Sequence, residues 1–192
     1  HAAMQRDDYF GRARAERILA RRLAEGKEDL DRVAERRGRP SQPRPEGPLI
    51  WFHAASVGEA LSLQELIRRL GQEREELSFL ITTGTRTSAE LLASRLPDRA
   101  LHQYAPLDAL EFVRSFLDHW QPDVAVWTES EFWPALMVET SRRSIPMLLV
   151  NARMSDRSHR RWRWMRGTAR SLLRRFDRVM AQDGHSATLL RK

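Results

Sequence analysis

The chain has no cysteine, which removes both a disulfide framework and a thiolate metal site and gives no sign of an oxidising compartment. A cytoplasmic setting is therefore the default expectation. No apolar run exceeds the one near Ile145 to Val150, far short of the ~20 residues that span a bilayer. No charged-then-apolar leader opens the chain, and His1 to Met4 read as an expression scar, so the native start is expected to lie upstream. G-x-G-x-x-G and G-x-x-x-x-G-K-[ST] are both missing, which weighs against a dinucleotide-dependent dehydrogenase and a P-loop nucleotidase. The histidines at 1, 53, 102, 119, 159 and 185 show no zinc-ligand spacing. No bound metal and no cofactor is expected.

What is present is 192 residues with 41% hydrophobic content, enough for one compact domain with a core and a tail. The net charge of +7 is segregated along the chain. Residues 5–45 carry twelve basic and eight acidic side chains. Residues 153–178 carry ten arginines against two aspartates, whereas residues 46–152 hold nine basic and fifteen acidic groups.

Residues 5–39 are dense in Arg, Glu and Ala, with a thin apolar stripe at Ala15, Ile18, Leu19 and Leu23, and predict a pair of short surface helices. Asp29-Leu30-Asp31 within this stretch reads as surface charge. Residues 40–48 include four prolines, which fix φ and remove donors, and predict an extended linker. The folded domain is expected over 49–192.

From there, short apolar runs alternate with amphipathic stretches, the pattern of consecutive βα units. Strands are predicted at 49–53, 78–82, 101–104, 124–128, 147–150 and 178–181. Leu63, Leu66, Ile67 and Leu70 mark one helical face between them, and Leu110, Val113, Phe116, Leu117 and Trp120 mark another. Pro122 and Pro146 stop helices just ahead of strands. The expectation is an α/β domain with an open, doubly wound, Rossmann-like parallel sheet.

In such sheets ligands sit beyond the carboxyl ends of the strands. Ser56-Val57-Gly58-Glu59 follows the first strand, Thr83-Gly84-Thr85-Arg86 the second, Glu129-Ser130-Glu131-Phe132-Trp133-Pro134 the fourth and Asn151-Ala152-Arg153 the fifth. Gly58 is read as permitting a tight turn and Glu59 as starting a helix. There its carboxylate either serves as a general base or only complements the helix dipole. Glu129 and Glu131 place two further carboxylates in one loop, with Pro134 early in the next helix. The hydroxyls of residues 82–88 form either a phosphate or sugar site or an ordinary cap, and Arg86, which offers no capping acceptor, favours the former. Arginines around the stripe Trp162, Met165, Ala169, Leu172, Leu173 and Phe176, with Trp164 off it, suit either an anionic lipid surface or plain solvent.

Trp51-Phe52-His53-Ala54-Ala55-Ser56-Val57-Gly58-Glu59 resembles the opening signature of the bacterial 3-deoxy-D-manno-octulosonic acid (Kdo) transferases. Thr82-Thr83-Gly84-Thr85, Tyr104-Ala105-Pro106-Leu107-Asp108, Glu129 to Pro134 and Asn151 to Ser158 resemble that family in the same order and at similar spacing. The likeness runs from about Lys27 to the end. It implies the N-terminal, acceptor-binding half of a two-domain GT-B glycosyltransferase whose other half binds the donor CMP-Kdo. It implies Glu59 as the base that activates a hydroxyl of the lipid A precursor, lipid IVA, for direct, inverting, metal-independent attack on Kdo. Glu129 matches a second important acidic position, an assignment its neighbour Glu131 leaves ambiguous. Ser56, Gly58, Thr83, Arg86, Glu131, Asn151 and Arg153 are the implied acceptor contacts.

The resemblance further implies a peripheral or N-terminally anchored protein on the cytoplasmic face of the bacterial inner membrane, in lipopolysaccharide biosynthesis, touching an anionic membrane surface. The apolar anchor usual in the family is replaced here by the scar and the Arg-rich stretch, so a soluble, trimmed fragment is expected, inactive without its donor half. Phe132 stands where leucine is common, a change of packing only. Two rival readings are a serine hydrolase with Ser56 on a nucleophile elbow and His159 or His185 as base, and a basic nucleic-acid-binding domain. The first lacks an earlier strand to support the elbow. The second sets acidic loops against a phosphate backbone, and no nucleic-acid partner is expected.

Overall fold

The computed structural model describes residues 2–54, 56–128, 133–152 and 166–190. Six strands form one sheet: β1 (Leu49–Ala54), β2 (Ser78–Thr83), β3 (Ala100–Tyr104), β4 (Val124–Thr128), β5 (Met147–Ala152) and β6 (Arg178–Ala181). Every pairing is parallel and the order is β3-β2-β1-β4-β5-β6. The order in which the chain adds strands reverses between β1 and β4, the switch point of a doubly wound sheet. The expected strands all form, β5 running two residues further, so that Asn151 and Ala152 lie within it.

Side-chain alternation sends the sheet's residues into two cores. Leu49, Trp51, Leu80, Ala125, Trp127, Met147 and Leu149 pack on α4 (Leu110–Trp120), α5 (Pro134–Arg142) and α6 (Arg166–Leu173). Phe52, Ala54, Phe79, Ile81 and Val126 pack on α2 (Val57–Glu73) and α3 (Arg86–Ala93). A last short helix, α7 (Gly184–Leu190), follows β6. Covering both faces explains why the strands read as apolar runs. The predicted α4 face is buried at Val113, Phe116, Leu117 and Trp120. On α2 one expectation is corrected: Leu63 and Ile67 are buried, but Leu66 is 39% exposed because the sheet reaches only the inner arc of the helix.

The N-terminal segment departs from its reading as two short surface helices. It forms one long helix, α1 (Ala2–Ala24), and a 3₁₀ helix (Leu30–Arg37) capped by Asp29 and closed by Gly38 at φ 73°. Ala15 of α1 packs with Ala109 and Phe112 of the α4 region. The charged 3₁₀ helix is buried at Glu35 and Arg36.

The reason is the edge of the sheet. Among the described residues β3 has no outer strand, and its outward backbone groups need partners. Glu35 Oε2 accepts from Tyr104 N at 2.7 Å, and Arg32 Nη2 donates to the His102 carbonyl at 2.9 Å. The guanidinium groups of Arg32 and Arg36 lie 4.8 and 4.7 Å from the Tyr104 ring centroid. Ionic side chains thus do for β3 what another strand would do. Among the described residues no helix is long and apolar enough to cross a membrane, and no group of three or more His, Asp or Glu could hold a metal ion.

Candidate active site

The switch point places the ends of β1 and β4 side by side. β1 leads into Ser56, the N-cap of α2, whose hydroxyl accepts from Glu59 N at 3.3 Å. Glu59 is held within the first turn and is 6% exposed. Its carboxylate is gripped from both sides: Ser56 Oγ donates to Oε1 at 2.8 Å, and Thr128 Oγ1 at the tip of β4 donates to Oε2 at 2.8 Å. Thr128 Oγ1 also lies 3.1 Å from the His53 carbonyl. Of the two roles open to Glu59 from the sequence, the dipole is satisfied by position alone. The two hydroxyls do something more, since they fix both carboxylate oxygens at the carboxyl ends of β1 and β4.

Gly58 is corrected from a turn residue to an ordinary helical one, the second of α2, with negative φ. Among the described residues, a Cβ built there meets nothing within 4 Å.

Beneath the crevice, Gln103, Thr82, His53 and Trp127 lie in register across four strands. His53 Nδ1 is 2.9 Å from Thr82 Oγ1, which accepts from Trp51 Nε1 at 2.8 Å. The His53 ring stands edge-on to Trp133, 5.4 Å between centroids. Burial pushes its pKa down to about 4, so the ring is neutral. It lies on the α4 and α5 side, away from Ser56, and so offers that serine no base. Of the histidines suggested for a hydrolase, His185 lies on α7 and His159 outside the described residues.

At the second strand, Thr85 caps α3 and Ser88 N donates to its hydroxyl at 3.2 Å. Thr83 is buried, its hydroxyl 2.9 Å from His102 Nε2. His102 is driven down to about 3 by burial, then by Arg32 and Arg36. Arg86 is exposed and bonds Glu90 at 2.7 Å, one helical turn on. That pair, which raises the Arg86 pKa, supplies a reason for the arginine that the sequence had left unstated. Thr83 and Arg86 therefore do not join the Ser56, Glu59 and Thr128 cluster.

Asn151 lies one residue before the end of β5 at φ 53°, where the β5–β6 register shifts between Leu149 and Ala152. A left-handed asparagine inside a strand marks local strain. Glu129, Glu131 and Arg153 lie outside the described residues, as do Trp162, Trp164 and Met165. Asp108 accepts from Leu136 N at 2.9 Å and Ala135 N at 3.3 Å, capping α5 from another loop. Thr128 was not singled out from the sequence, where a threonine closing a strand at the switch point was the available signal; Asp108 stood in a motif that resembles the family, but with no role read for it.

A family model described as 3-deoxy-D-manno-octulosonic-acid transferase (kdotransferase) matches residues 31–192. The chain belongs to the Kdo transferase family. A 3-deoxy-D-manno-octulosonic acid transferase from Rickettsia bellii is 39% identical over 166 residues, 86% of this chain and 40% of the relative. One from Haemophilus influenzae is 35% identical over 158 residues, 81% of this chain and 36% of the relative. The chain thus spans about two fifths of the length of these curated relatives. A solved structure assigned as a UDP-N-acetylglucosamine 2-epimerase from Listeria monocytogenes superposes with a TM-score of 0.54 at 12% identity. It covers 76% of this chain and 41% of that one, a likeness of fold. The sheet is the Rossmann-like half of a GT-B architecture, as expected. The Kdo transferase match begins inside the 3₁₀ helix, so Arg32, Glu35 and Arg36 are part of the matched region.

Proposed function

We propose that this chain carries the acceptor side of a Kdo transferase and that Glu59 is its general base. In this reading Glu59 takes the proton from a hydroxyl of the phosphorylated disaccharide of a lipid A precursor, lipid IVA. The freed oxygen attacks the anomeric carbon of Kdo from the face opposite CMP. A carbon–oxygen bond forms with inversion as the bond to CMP breaks, and CMP leaves with the electron pair. CMP-Kdo is held mainly by the part of the family's length that this chain does not span. No metal is required, because the carboxylate supplies the base directly.

The observation that carries this reading is the Glu59 carboxylate at the switch point, almost buried and fixed by Ser56 and Thr128. A general base must be held within hydrogen-bond reach of the proton it removes. Ser56 Oγ on Oε1 marks such a position, and Ser56 is exposed, so an acceptor hydroxyl can replace it. The open space beside Gly58 admits the sugar. Thr83, Arg86, Asn151, Arg153 and one of Glu129 or Glu131 are assigned to the acceptor's surroundings, Arg86 by exchanging Glu90 for a phosphate. The arginines of 153–178 are assigned to contact with an anionic membrane surface at the cytoplasmic side of the inner membrane.

In the full-length enzyme, Glu59→Gln keeps the shape, accepts from one of the two hydroxyls and donates to the other, and removes the base. Turnover should fall by about 10²- to 10⁴-fold, with folding and acceptor binding kept. Turnover within a few-fold of the parent rejects the assignment.

A further inference from the structure

Arg36 lies outside every βα unit, yet it is 1% exposed. A guanidinium keeps its charge in proteins, so burial requires that its N–H groups find acceptors. Burial presses the Arg36 pKa downward and Glu28 opposes it. Nε donates to Glu28 Oε2 at 2.8 Å, Nη1 to the Ala105 carbonyl at 3.0 Å and Nη2 to the Gly84 carbonyl at 2.6 Å. Arg22 of α1 bonds the other oxygen of Glu28 and adds a second donor to the Gly84 carbonyl at 3.3 Å. A buried ion pair is weak evidence for stability when apolar packing could replace it. What the pair holds in place is therefore the informative part.

Gly84 stands between the last residue of β2 and the N-cap of α3. Ala105 opens the connection from β3 to α4. Both carbonyls sit beyond the carboxyl ends of adjacent strands, where one wall of the crevice begins. The backbone of Arg36 binds the second connection again, its carbonyl accepting from Leu107 N at 2.9 Å. One residue later, Asp108 caps α5. Polar bridges thus run from Arg36 to two connections at the strand tips, and the second of these is tied through Asp108 to the first turn of α5.

We propose that Arg36, with Glu28 as its counter-ion, is a positioning residue for the acceptor: its guanidinium staples the β2–α3 connection to the β3–α4 connection. This rests on the reading of the crevice as an acceptor site. A lysine would keep the charge beside Glu28 but lacks the planar fork that serves several acceptors at once. Its one nitrogen cannot stand in for three spread over the fork, and the Ala105 carbonyl is the more affected, since Gly84 keeps Arg22.

The test uses the full-length enzyme with CMP-Kdo and the diphosphorylated disaccharide lipid as substrates. Arg36→Lys should raise amide exchange selectively over residues 83–88 and 105–109. The acceptor KM should rise roughly tenfold, while kcat and the KM for CMP-Kdo change less than about threefold. In Arg36→Ala, methylguanidinium should restore the acceptor KM and methylammonium should not. Exchange that rises uniformly, or an acceptor KM that stays at the parent value, overturns the proposal. Glu59→Gln in the same preparation reads the underlying assignment separately, since its turnover does not depend on the staple.

Discussion

Glu59 Oε2 and Thr128 Oγ1 lie 2.8 Å apart, which ties the first turn of α2 to the last residue of β4 across the switch point. The bond joins two segments 69 residues apart in sequence. It turns a carboxylate that would otherwise follow its rotamers into one with a set direction. A base whose place is fixed before the substrate arrives needs less reorganisation at the moment of proton transfer.

Removing that bond tests its worth. Thr128→Val is close in shape and deletes the hydroxyl that serves both Glu59 and the His53 carbonyl. Loss of a buried hydrogen bond to a charged group costs about 1.5–3 kcal/mol. Steady-state kinetics of the full-length enzyme should show kcat lowered roughly tenfold or more, with the sheet intact by circular dichroism.

Gly58→Ala separates stability from access. The position is helical with room for a Cβ, and alanine favours a helix over glycine by up to about 1 kcal/mol. The midpoint of urea unfolding should rise. A methyl over the first turn of α2 narrows the approach to Glu59, so the acceptor KM should rise with it.

Acid stability should report the two buried histidines. His53 and His102 titrate near 4 and 3 in the fold, against about 6.5 when unfolded. Depressed pKa values mean that the unfolded chain binds protons first as pH falls. The stability is fully present above about 6.5 and is lost progressively toward the folded values. Between pH 7.5 and 5.0 each histidine should cost about 2 kcal/mol. Asp108, whose carboxyl is raised by burial, acts with the opposite sign, through a single group. Urea unfolding at the two pH values should show a smaller difference in His53→Gln than in the parent.

The β3 edge should fail when its ionic cover is removed. Glu35→Ala takes the acceptor from Tyr104 N and from Arg32, two donors it now bonds at 2.7 and 2.9 Å. Stranding them costs about 3 kcal/mol. Denaturant unfolding should show that loss, and light scattering should show association through the uncovered edge.

The sheet was legible because its signals are local. Apolar runs such as Leu-Ile-Trp-Phe between helical stripes predict βα units, and alternation alone sends Trp51 and Phe52 to opposite cores. Glu59 was legible as a first-turn acid because it follows the first strand where a helix must begin, whereas the Ser56 cap three residues before it went unread. Ordered motifs likewise pointed to the family that the comparison then identified.

What tertiary structure alone decided are the partners across long separations. Thr128 reaches Glu59, Asp108 reaches α5, and Arg36 reaches Gly84 and Ala105 because the winding of the sheet brings the strand tips together. In sequence Arg36 and Glu35 read like the other surface charges of their segment, since charge patterns show periodicity but not the neighbour on the far side. Only the unpaired edge of β3 turns those charges inward, where burial makes each hydrogen bond necessary.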